Sequence, residues 1–277
     1  MTTQSPDRLM IMCAPNGARK TRADHPQLPI GPEQLADCAA DILQAGASVL
    51  HLHVRDDSGK HSLSPERYRQ AIAAIRKTVG DDLVIQVTTE AVGIYTREQQ
   101  IQIVKELKPE AVSLALRELC PDEDSVAHSA AFFEWCRQQG IWAQYILYSA
   151  QEVSRFIELH ARGVFGPGPV SVLFVLGRYS QDLRGDPQEL QAFINAWDTR
   201  CGNWACCCFG ATEHQSMLVA ARAGGHVRLG FENNLYRSDG SLAEDNAQLL
   251  NDFVSQLTSS GRPLANADDI RQHFFPT

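Results

Sequence analysis

Features that mark several protein classes are missing from this sequence of 277 residues. It has no cationic excess, since its net charge is −8, and a protein that tracks nucleic-acid phosphates normally shows a basic patch. No apolar run approaches the length of a membrane span, and the polar first residues lack the apolar core of a signal peptide. These absences predict a soluble, cytoplasmic protein that binds neither nucleic acid nor membranes.

The cysteines also lack the spacing of known cysteine sites. None of the eight forms a C-x-x-C pair with zinc-finger spacing. Cys206, Cys207 and Cys208 lie in an apolar, strand-like run, and we interpret the cysteines as small buried hydrophobes in a reducing compartment. No linker or low-complexity segment interrupts the chain, so residues 1–277 are expected to form one domain with a short C-terminal tail.

Strand-like runs alternate with helical patterns along nearly the whole sequence. The predicted strands are 9–14, 48–54, 83–88, 111–116, 141–147, 170–176, 203–209 and 226–231. The predicted helices are 32–44, 65–78, 96–107, 124–138, 150–161, 187–197, 213–223 and 242–257. Eight such units predict a (β/α)8 TIM barrel. The alternative, a doubly wound open sheet, lacks the G-x-G-x-x-G that would follow its first strand. Residues 262–277 are expected to pack on the barrel or on a partner.

Two histidines lie near the carboxyl end of the second predicted strand, in the run S-V-L-H-L-H-V-R-D at 48–56. Because side chains alternate along a strand, His51 and His53 point the same way and the leucines beside them point the other way. Two imidazoles supply two of the three protein ligands that a catalytic zinc needs. Hydrogen-bonded interior histidines would give the same pattern, so a third ligand has to come from elsewhere in the chain.

Alternation in the last predicted strand supplies that third ligand. His226, Arg228, Gly230 and Glu232 share one face, while the apolar residues between them face the helices. Glu232 then lies at the C-terminal end of the barrel, where TIM barrels build their active sites. The pattern predicts a zinc site of His51, His53 and Glu232. The alternative for Glu232 is a salt bridge to Arg228 at the barrel rim.

More polar side chains are expected at this end of the barrel. The inward-facing residues are Gln86, Thr88 and Glu90 on the third strand and Ser113, Ala115 and Arg117 on the fourth. The long polar loop after the first strand carries Asn16 and Arg19, and such loops are usually functional. Four arginines could reach the C-terminal opening of the barrel: Arg19, Arg117, Arg178 and Arg228. Several arginines at one opening suit a substrate that carries carboxylates. Solvated loop charges are the alternative for Arg19 and Arg178.

Five segments resemble the β-keto acid cleavage enzymes, whose founding activity is the cleavage of 3-keto-5-aminohexanoate. They are A-P-N-G-A-R-K at 14–20, H-L-H-V-R-D at 51–56, Q-V-T-T-E at 86–90, V-S-L-A-L-R-E at 112–118 and G-G-H-V-R-L-G-F-E-N-N at 224–234. The resemblance implies a zinc-dependent TIM barrel that forms a homo-oligomer, a tetramer or dimer. It also implies that a β-keto acid condenses with acetyl-CoA and that the products are acetoacetate and a new acyl-CoA.

The resemblance places the family's zinc ligands on His51, His53 and Glu232, its motif arginine on Arg228 and a pocket hydroxyl on Thr88. We expect four further residues to contact the substrate: Asn16, Arg19, Arg117 and Asn233.

This chain departs from the founding member at two of these positions. Asn233 replaces an Asp that acts in base catalysis, and because neutral Asn cannot take a proton from carbon, Glu90 is our candidate general base. Arg19 replaces a Glu that binds the substrate's amino group. A cation at this position favours a neutral or acidic β-keto acid as the substrate. A salt bridge from Arg19 to Glu90 or Glu118 would instead leave the pocket neutral.

Two other functions stay open at this point. One is a zinc-dependent aldolase or hydrolase that acts on an anionic substrate without CoA. The other is a non-catalytic barrel that binds a carboxylate ligand as a sensor or regulatory subunit. The sequence carries no recognisable CoA motif such as a P-loop that would decide among them.

Overall fold

The computed structural model describes residues 8–257 and 261–276, so the polar N-terminal segment considered above lies outside the described residues. The strands are β1 (Ile11–Cys13), β2 (Val49–Leu52), β3 (Val54–Arg55), β4 (His61–Ser62), β5 (Val84–Thr88), β6 (Ala111–Ala115), β7 (Trp142–Leu147), β8 (Val170–Leu176), β9 (Gly202–Cys208) and β10 (His226–Leu229). The α-helices are α1 (Pro32–Gln44), α2 (Pro65–Val79), α3 (Arg97–Leu107), α4 (Leu116–Leu119), α5 (Glu123–Gln138), α6 (Ala150–Ala161), α7 (Leu190–Ala196), α8 (Glu213–Arg222), α9 (Asn246–Gln256) and α10 (Ala267–Phe274). A 3-10 turn, Pro187–Glu189, precedes α7.

Eight of the strands close into a barrel in the order β1-β10-β9-β8-β7-β6-β5-β2, and β2 pairs with β1 to complete it. The pairs within the barrel are parallel, because a helix crosses back between successive barrel strands. This confirms the predicted TIM barrel. The short strands β3 and β4 form an antiparallel hairpin directly after β2.

Local chemistry sets where the helices begin. Ser64 accepts the backbone N–H of Arg67 just before Pro65, and Asp186 caps the turn that starts at Pro187 in the same way. Helix α2 begins at residue 65 as predicted, whereas the helix predicted to begin at residue 187 starts with the 3-10 turn. Among the described helices, none combines the length and apolar character needed to cross a membrane.

Apolar side chains fill both the space around the barrel and its interior. A large buried cluster joins the outward faces of the strands to the helices, and a second cluster includes Met12, Val84 and Trp142 inside the barrel. Helix α10 closes the base, where the ring of Phe274 lies 5.4 Å from that of Trp142. All eight cysteines are free and seven are buried, as expected for small hydrophobes.

The structure differs from the prediction at the end of the fourth strand, at the start of the last predicted helix and in the C-terminal tail. The fourth predicted strand ends at Ala115, because the next four residues form α4 and bury Leu116 and Leu119 on one side of a helical turn. The last predicted helix begins at Asn246 rather than Leu242, because Asp245 caps it by accepting the N–H of Gln248. The C-terminal tail contains a helix, α10, that the sequence did not predict.

Candidate metal centre and active site

Three donor atoms converge at the C-terminal end of the barrel. Nε2 of His51 lies 3.2 Å from Nε2 of His53, and Oε2 of Glu232 lies 3.6 Å and 3.3 Å from those two nitrogens. Tetrahedral ligands at zinc bond lengths of about 2.05 Å stand about 3.3 Å apart, so this spacing fits one ion with a fourth position open. The residues predicted as ligands therefore do form a group that could hold a metal ion.

The surroundings of these atoms favour metal binding. Gln86 donates to Gln144, so its Oε1 faces Nδ1 of His51 at 2.8 Å and leaves the His51 Nε2 lone pair for a cation. Burial lowers the pKa of His51 to about 3, so the imidazole is neutral at pH 7. Oε2 of Glu232 is buried and has no hydrogen-bond partner among the described residues, as expected for a ligand oxygen.

The charge of Glu232 is set by its neighbours. Burial by itself raises the pKa of this carboxyl, but Arg228 and the two imidazoles lower the pKa well below its usual range. Arg228 donates from Nη2 to Oε1 of Glu232 at 3.1 Å, so the rim salt bridge occupies the oxygen that does not face the histidines. The salt bridge and metal ligation are therefore compatible. The buried Nε of Arg228 has no partner in the described part of the chain, which suits a substrate oxyanion.

Close backbone packing brings Glu232 to the histidines. The chain turns at Gly230, where φ is +131° and a Cβ would lie 2.5 Å from the carbonyl oxygen of Ala14. Gly17 has φ +58°, and a Cβ there would lie 2.5 Å from Cγ of Glu232. Both positions therefore require glycine. Glu213 adds support from α8, because its carboxyl group accepts the N–H of Gly230 at 3.2 Å.

Two cavities lie over the metal centre. The inner cavity is narrow and is lined by the three predicted ligands together with residues that include Thr88, Tyr148 and Arg228. The outer cavity has a volume of about 380 Å³. Four residues line both cavities: Glu90, Arg178, Phe209 and Glu232. A substrate with one end at the metal can therefore extend past these residues into the outer cavity.

The structure places the predicted catalytic residues at the inner cavity. Oγ1 of Thr88 accepts the N–H of Glu90 at 3.0 Å, which fixes the start of the loop after β5. The carboxylate of Glu90 accepts from Nη2 of Arg178 at 3.3 Å. Arg19 is therefore not the partner of Glu90, and in the described residues it forms no ion pair with Glu118.

The predicted substrate-binding residues separate into two groups. Asn16, Arg19 and Asn233 line the outer cavity. Asn233 is buried, and neither of its amide atoms has a partner among the described residues, so both are available to a ligand.

Arg117 lies elsewhere and lines neither cavity. It is carried by α4 because β6 ends before it, so the expected inward direction is wrong at this position. Its Nε donates to Glu152 at 2.7 Å, and its guanidinium carbon lies 4.5 Å and 4.3 Å from the ring centroids of Tyr148 and Tyr179. These contacts hold the cation at the rim of the barrel.

The sequence did not reveal Glu213 or the role of Lys20. Lys20 donates from Nζ to the backbone carbonyl of Glu232 at 2.7 Å. This bond fixes the turn that carries Glu232 to the loop after β1. Glu213 lies in the first turn of α8, where acidic residues are common. Nothing in the sequence around it indicated a contact with the turn that carries Glu232.

Comparisons with known proteins agree with this geometry. The family model for beta-keto acid cleavage enzymes matches residues 8–274. The 3-keto-5-aminohexanoate cleavage enzymes of Fusobacterium nucleatum and Acetoanaerobium sticklandii are 30% and 28% identical to the chain, each over 96% of this chain and 97% of the relative. The 3-oxoadipate:acetyl-CoA acetyltransferase of Cupriavidus necator is 24% identical over 95% of this chain and 93% of its own. The apo structure of ObcA shares the fold, with TM-score 0.73 and 16% identity over 91% of this chain and 66% of that one.

Proposed function

Because the chain belongs to the family of β-keto acid cleavage enzymes, we propose that it condenses a β-keto acid with acetyl-CoA in a zinc-dependent reaction. Cleavage of the adduct would release acetoacetate and a new acyl-CoA. As a member of this family the chain is an enzyme that transfers acyl groups and breaks carbon–carbon bonds. The proposal is carried by the cluster of His51, His53 and Glu232, whose donor atoms lie 3.2, 3.3 and 3.6 Å apart and could hold one metal ion.

The donor set suits zinc, since two neutral imidazoles and one carboxylate are ligands that zinc accepts readily. A zinc ion bound there would supply Lewis-acid polarisation of the substrate ketone. Arg228 would hold the substrate carboxylate through its unpartnered Nε. The hydroxyl of Thr88 accepts from Glu90, so its own proton can be donated to a substrate carbonyl.

Glu90 is our proposed general base. It lines the inner cavity, and Oε2 makes no hydrogen bond with a described residue while Oε1 accepts from Arg178. Oε2 would take a proton from the methylene between the ketone and the carboxylate. The carbanion then attacks the thioester carbonyl of acetyl-CoA and displaces the coenzyme thiolate. That thiolate attacks the original ketone, the carbon–carbon bond breaks, and Glu90 returns its proton to the departing acetoacetate.

Product analysis tests the function directly. The zinc-loaded protein is incubated with acetyl-CoA and a panel of β-keto acids, and we expect acetoacetate and a new acyl-CoA in equal amounts. Turnover without CoA would contradict the proposal in favour of an aldolase or hydrolase. Binding of the keto acids without turnover would contradict it in favour of a sensor.

Metal analysis tests the site. His51→Ala should lose bound zinc and activity while its circular dichroism stays native, because two ligands hold zinc much more weakly than three. His61→Ala is the matched control, since His61 is a buried imidazole whose ring lies 5.2 Å from that of His53 and is not in the cluster. Full zinc occupancy in the His51→Ala, His53→Ala double variant would rule out this site.

A further inference from the structure

Arg178 occupies the place where the inner and outer cavities meet. It follows β8 and Gly177, its side chain is only 14% exposed, and it lines both cavities. Its guanidinium carbon lies 5.4 Å from the ring centroid of Phe209 and 5.6 Å from that of Tyr179. Packing against these rings limits the directions in which the guanidinium can move. A substrate that reaches from the metal centre to the outer cavity passes this group.

Most of the hydrogen-bonding capacity of Arg178 is unused. A guanidinium carries five N–H donors, and the contact with a described residue is the single bond from Nη2 to Glu90. Nε and Nη1 are therefore available on the side of the cavity. Neither Nε nor Nη1 is among the buried unpaired atoms of the described residues, so both can be reached by a ligand in the cavities. A carboxylate matches its planar donor geometry.

The charges around the cavities favour an acidic ligand. Four cations line them: Arg19, Lys20, Arg178 and Arg228. The carboxylates that line them already have partners in the described structure, since Glu232 pairs with Arg228, Glu90 with Arg178, and Asp24 accepts the N–H and hydroxyl of Thr21. A substrate ammonium would meet four cations, and each of these carboxylates already has at least one oxygen engaged by an arginine or by Thr21. A substrate with an apolar end would leave Nε and Nη1 of Arg178 without an anionic partner, since the bond to Glu90 uses Nη2 alone.

From these observations we infer that Arg178 binds a second carboxylate, so the preferred substrate is a β-keto dicarboxylate. This inference rests on the proposed function and names the substrate class of the same site. The first carboxylate would lie at Arg228, and the second would reach Arg178 at the boundary of the outer cavity.

A phosphate of CoA is the other anion that could reach a cationic group here. The pantetheine arm separates the thioester from the phosphates. With the thioester carbonyl at the metal centre, the phosphates would lie at or beyond the mouth, where Arg19 is located, rather than at the inner cavity. Arg178 is therefore better placed for the substrate carboxylate than for a CoA phosphate. Steady-state kinetics can distinguish these two anions.

The test compares 3-oxoadipate with 3-oxohexanoate, which have the same chain length and differ in one terminal carboxylate. We expect the native enzyme to favour 3-oxoadipate in kcat/KM by about tenfold or more, and Arg178→Met to remove this preference. Arg178→Lys should keep part of the preference because the charge remains. Arg184→Met is the control, since Arg184 is an exposed cation on the same loop that lines neither cavity, and the ratio should not change.

Three results would overturn the inference. One is a native ratio near one, and another is an unchanged ratio in Arg178→Met. The third is a higher KM for acetyl-CoA in Arg178→Met with the ratio preserved, which would assign Arg178 to a CoA phosphate. If Arg178→Met does not fold, Arg178→Gln replaces it in the same comparison.

A binding measurement separates this inference from the proposed function. If neither keto acid yields acetoacetate, the proposed function fails. The affinities of the zinc-loaded protein for 3-oxoadipate and 3-oxohexanoate then decide the inference. Binding of 3-oxoadipate that is tighter by about tenfold, and is lost in Arg178→Met, supports it. Equal affinities overturn it.

Discussion

Glu213 shows how a residue outside the cavities supports the metal centre. Its carboxyl group accepts the N–H of Gly230 at 3.2 Å and the side-chain amide of Asn234 at 3.3 Å, so it holds both ends of the turn that carries Glu232. Burial raises the pKa of Glu213 to about 8. The folded state therefore keeps this proton at pH values where the unfolded chain has released it.

This difference predicts a pH-dependent stability. An unfolded Glu titrates near pH 4.3, so between about 4.3 and 8 the folded state binds more protons and the free energy of unfolding falls as pH rises, by up to about 1.4 kcal/mol per unit. Glu213→Gln removes this contribution because Gln does not titrate. Urea unfolding of both proteins from pH 5 to 9 should therefore show a free-energy difference that shifts in favour of the variant up to about pH 8.

Glu66→Gln is the control for that experiment, since Glu66 is an exposed acid in the first turn of α2. The free energy of unfolding of Glu66→Gln, plotted against pH, should stay parallel to that of the native protein. A parallel curve for Glu213→Gln as well would show that the buried carboxyl does not hold its proton.

Strand alternation predicted the metal ligands correctly but not the way in which they meet. In the structure β2 ends at Leu52 and β10 ends at Leu229, so His53 and Glu232 both follow a strand, and the turn at Gly230 brings Glu232 to the histidines. Glu213 and Arg178 could not be assigned in the same way. Their roles depend on partners from other elements, Gly230 and Glu90, which no local pattern connects to them.

At the scale of elements, the loop between β5 and α3 contains a strained residue next to the proposed base. Val92 has φ +44°, a left-handed conformation that branching at Cβ makes unfavourable. It lies two residues after Glu90, whose N–H is bonded to Thr88 and whose carbonyl accepts from His61 at 2.9 Å. The strain therefore falls in a segment whose start is fixed by the active site.

Val92→Gly should increase stability and reduce activity. The left-handed conformation costs a non-glycine residue about 1–2 kcal/mol, and the added freedom of glycine in the unfolded chain offsets about half of the gain. We expect a net increase of roughly 0.5–1 kcal/mol in urea unfolding and a lower kcat, because the segment after Glu90 becomes less restricted. Val92→Ala keeps Cβ and should gain less. A loss of stability in Val92→Gly would show that the conformation carries no strain.

Elements were predictable where the hydrophobic period runs over several turns, as in α1 and α6, whose observed bounds match the prediction. Helix α4 is a single turn, too short for a period to appear. Helix α10 has only eight residues, and residues 262–277 were expected only to pack on the barrel or on a partner.

At the scale of the whole molecule, the barrel is open at the active-site end and closed at its base by α10. Phe274 lies against Trp142 and His226, which begin β7 and β10, so it covers the amino ends of the strands. Its apolar surface is used within its own chain. A homo-oligomer stays a prediction that rests on the family resemblance.

Phe274→Ala tests the closure of the base. Truncation of a buried Phe costs about 3–5 kcal/mol, and we expect the lower end of that range because α10 is close to the end of the chain. Phe275→Ala is the matched control; this ring is only partly buried and lies 6.0 Å from Trp142, so the loss should be about 1 kcal/mol. Below the unfolding transition, zinc content and kcat should stay native in both variants, because the metal centre lies at the other end of the barrel.

The dependence on protein concentration distinguishes the two roles of Phe274. If its ring covers the base of its own barrel, the stability lost in Phe274→Ala is the same at every protein concentration. If the ring instead contacts a partner subunit, the loss changes with protein concentration, because association contributes to the apparent stability by mass action. Urea unfolding over a range of protein concentrations, with light scattering on the same samples, measures both quantities. A loss that changes with concentration would contradict the intramolecular role that its contacts with Trp142 and His226 indicate.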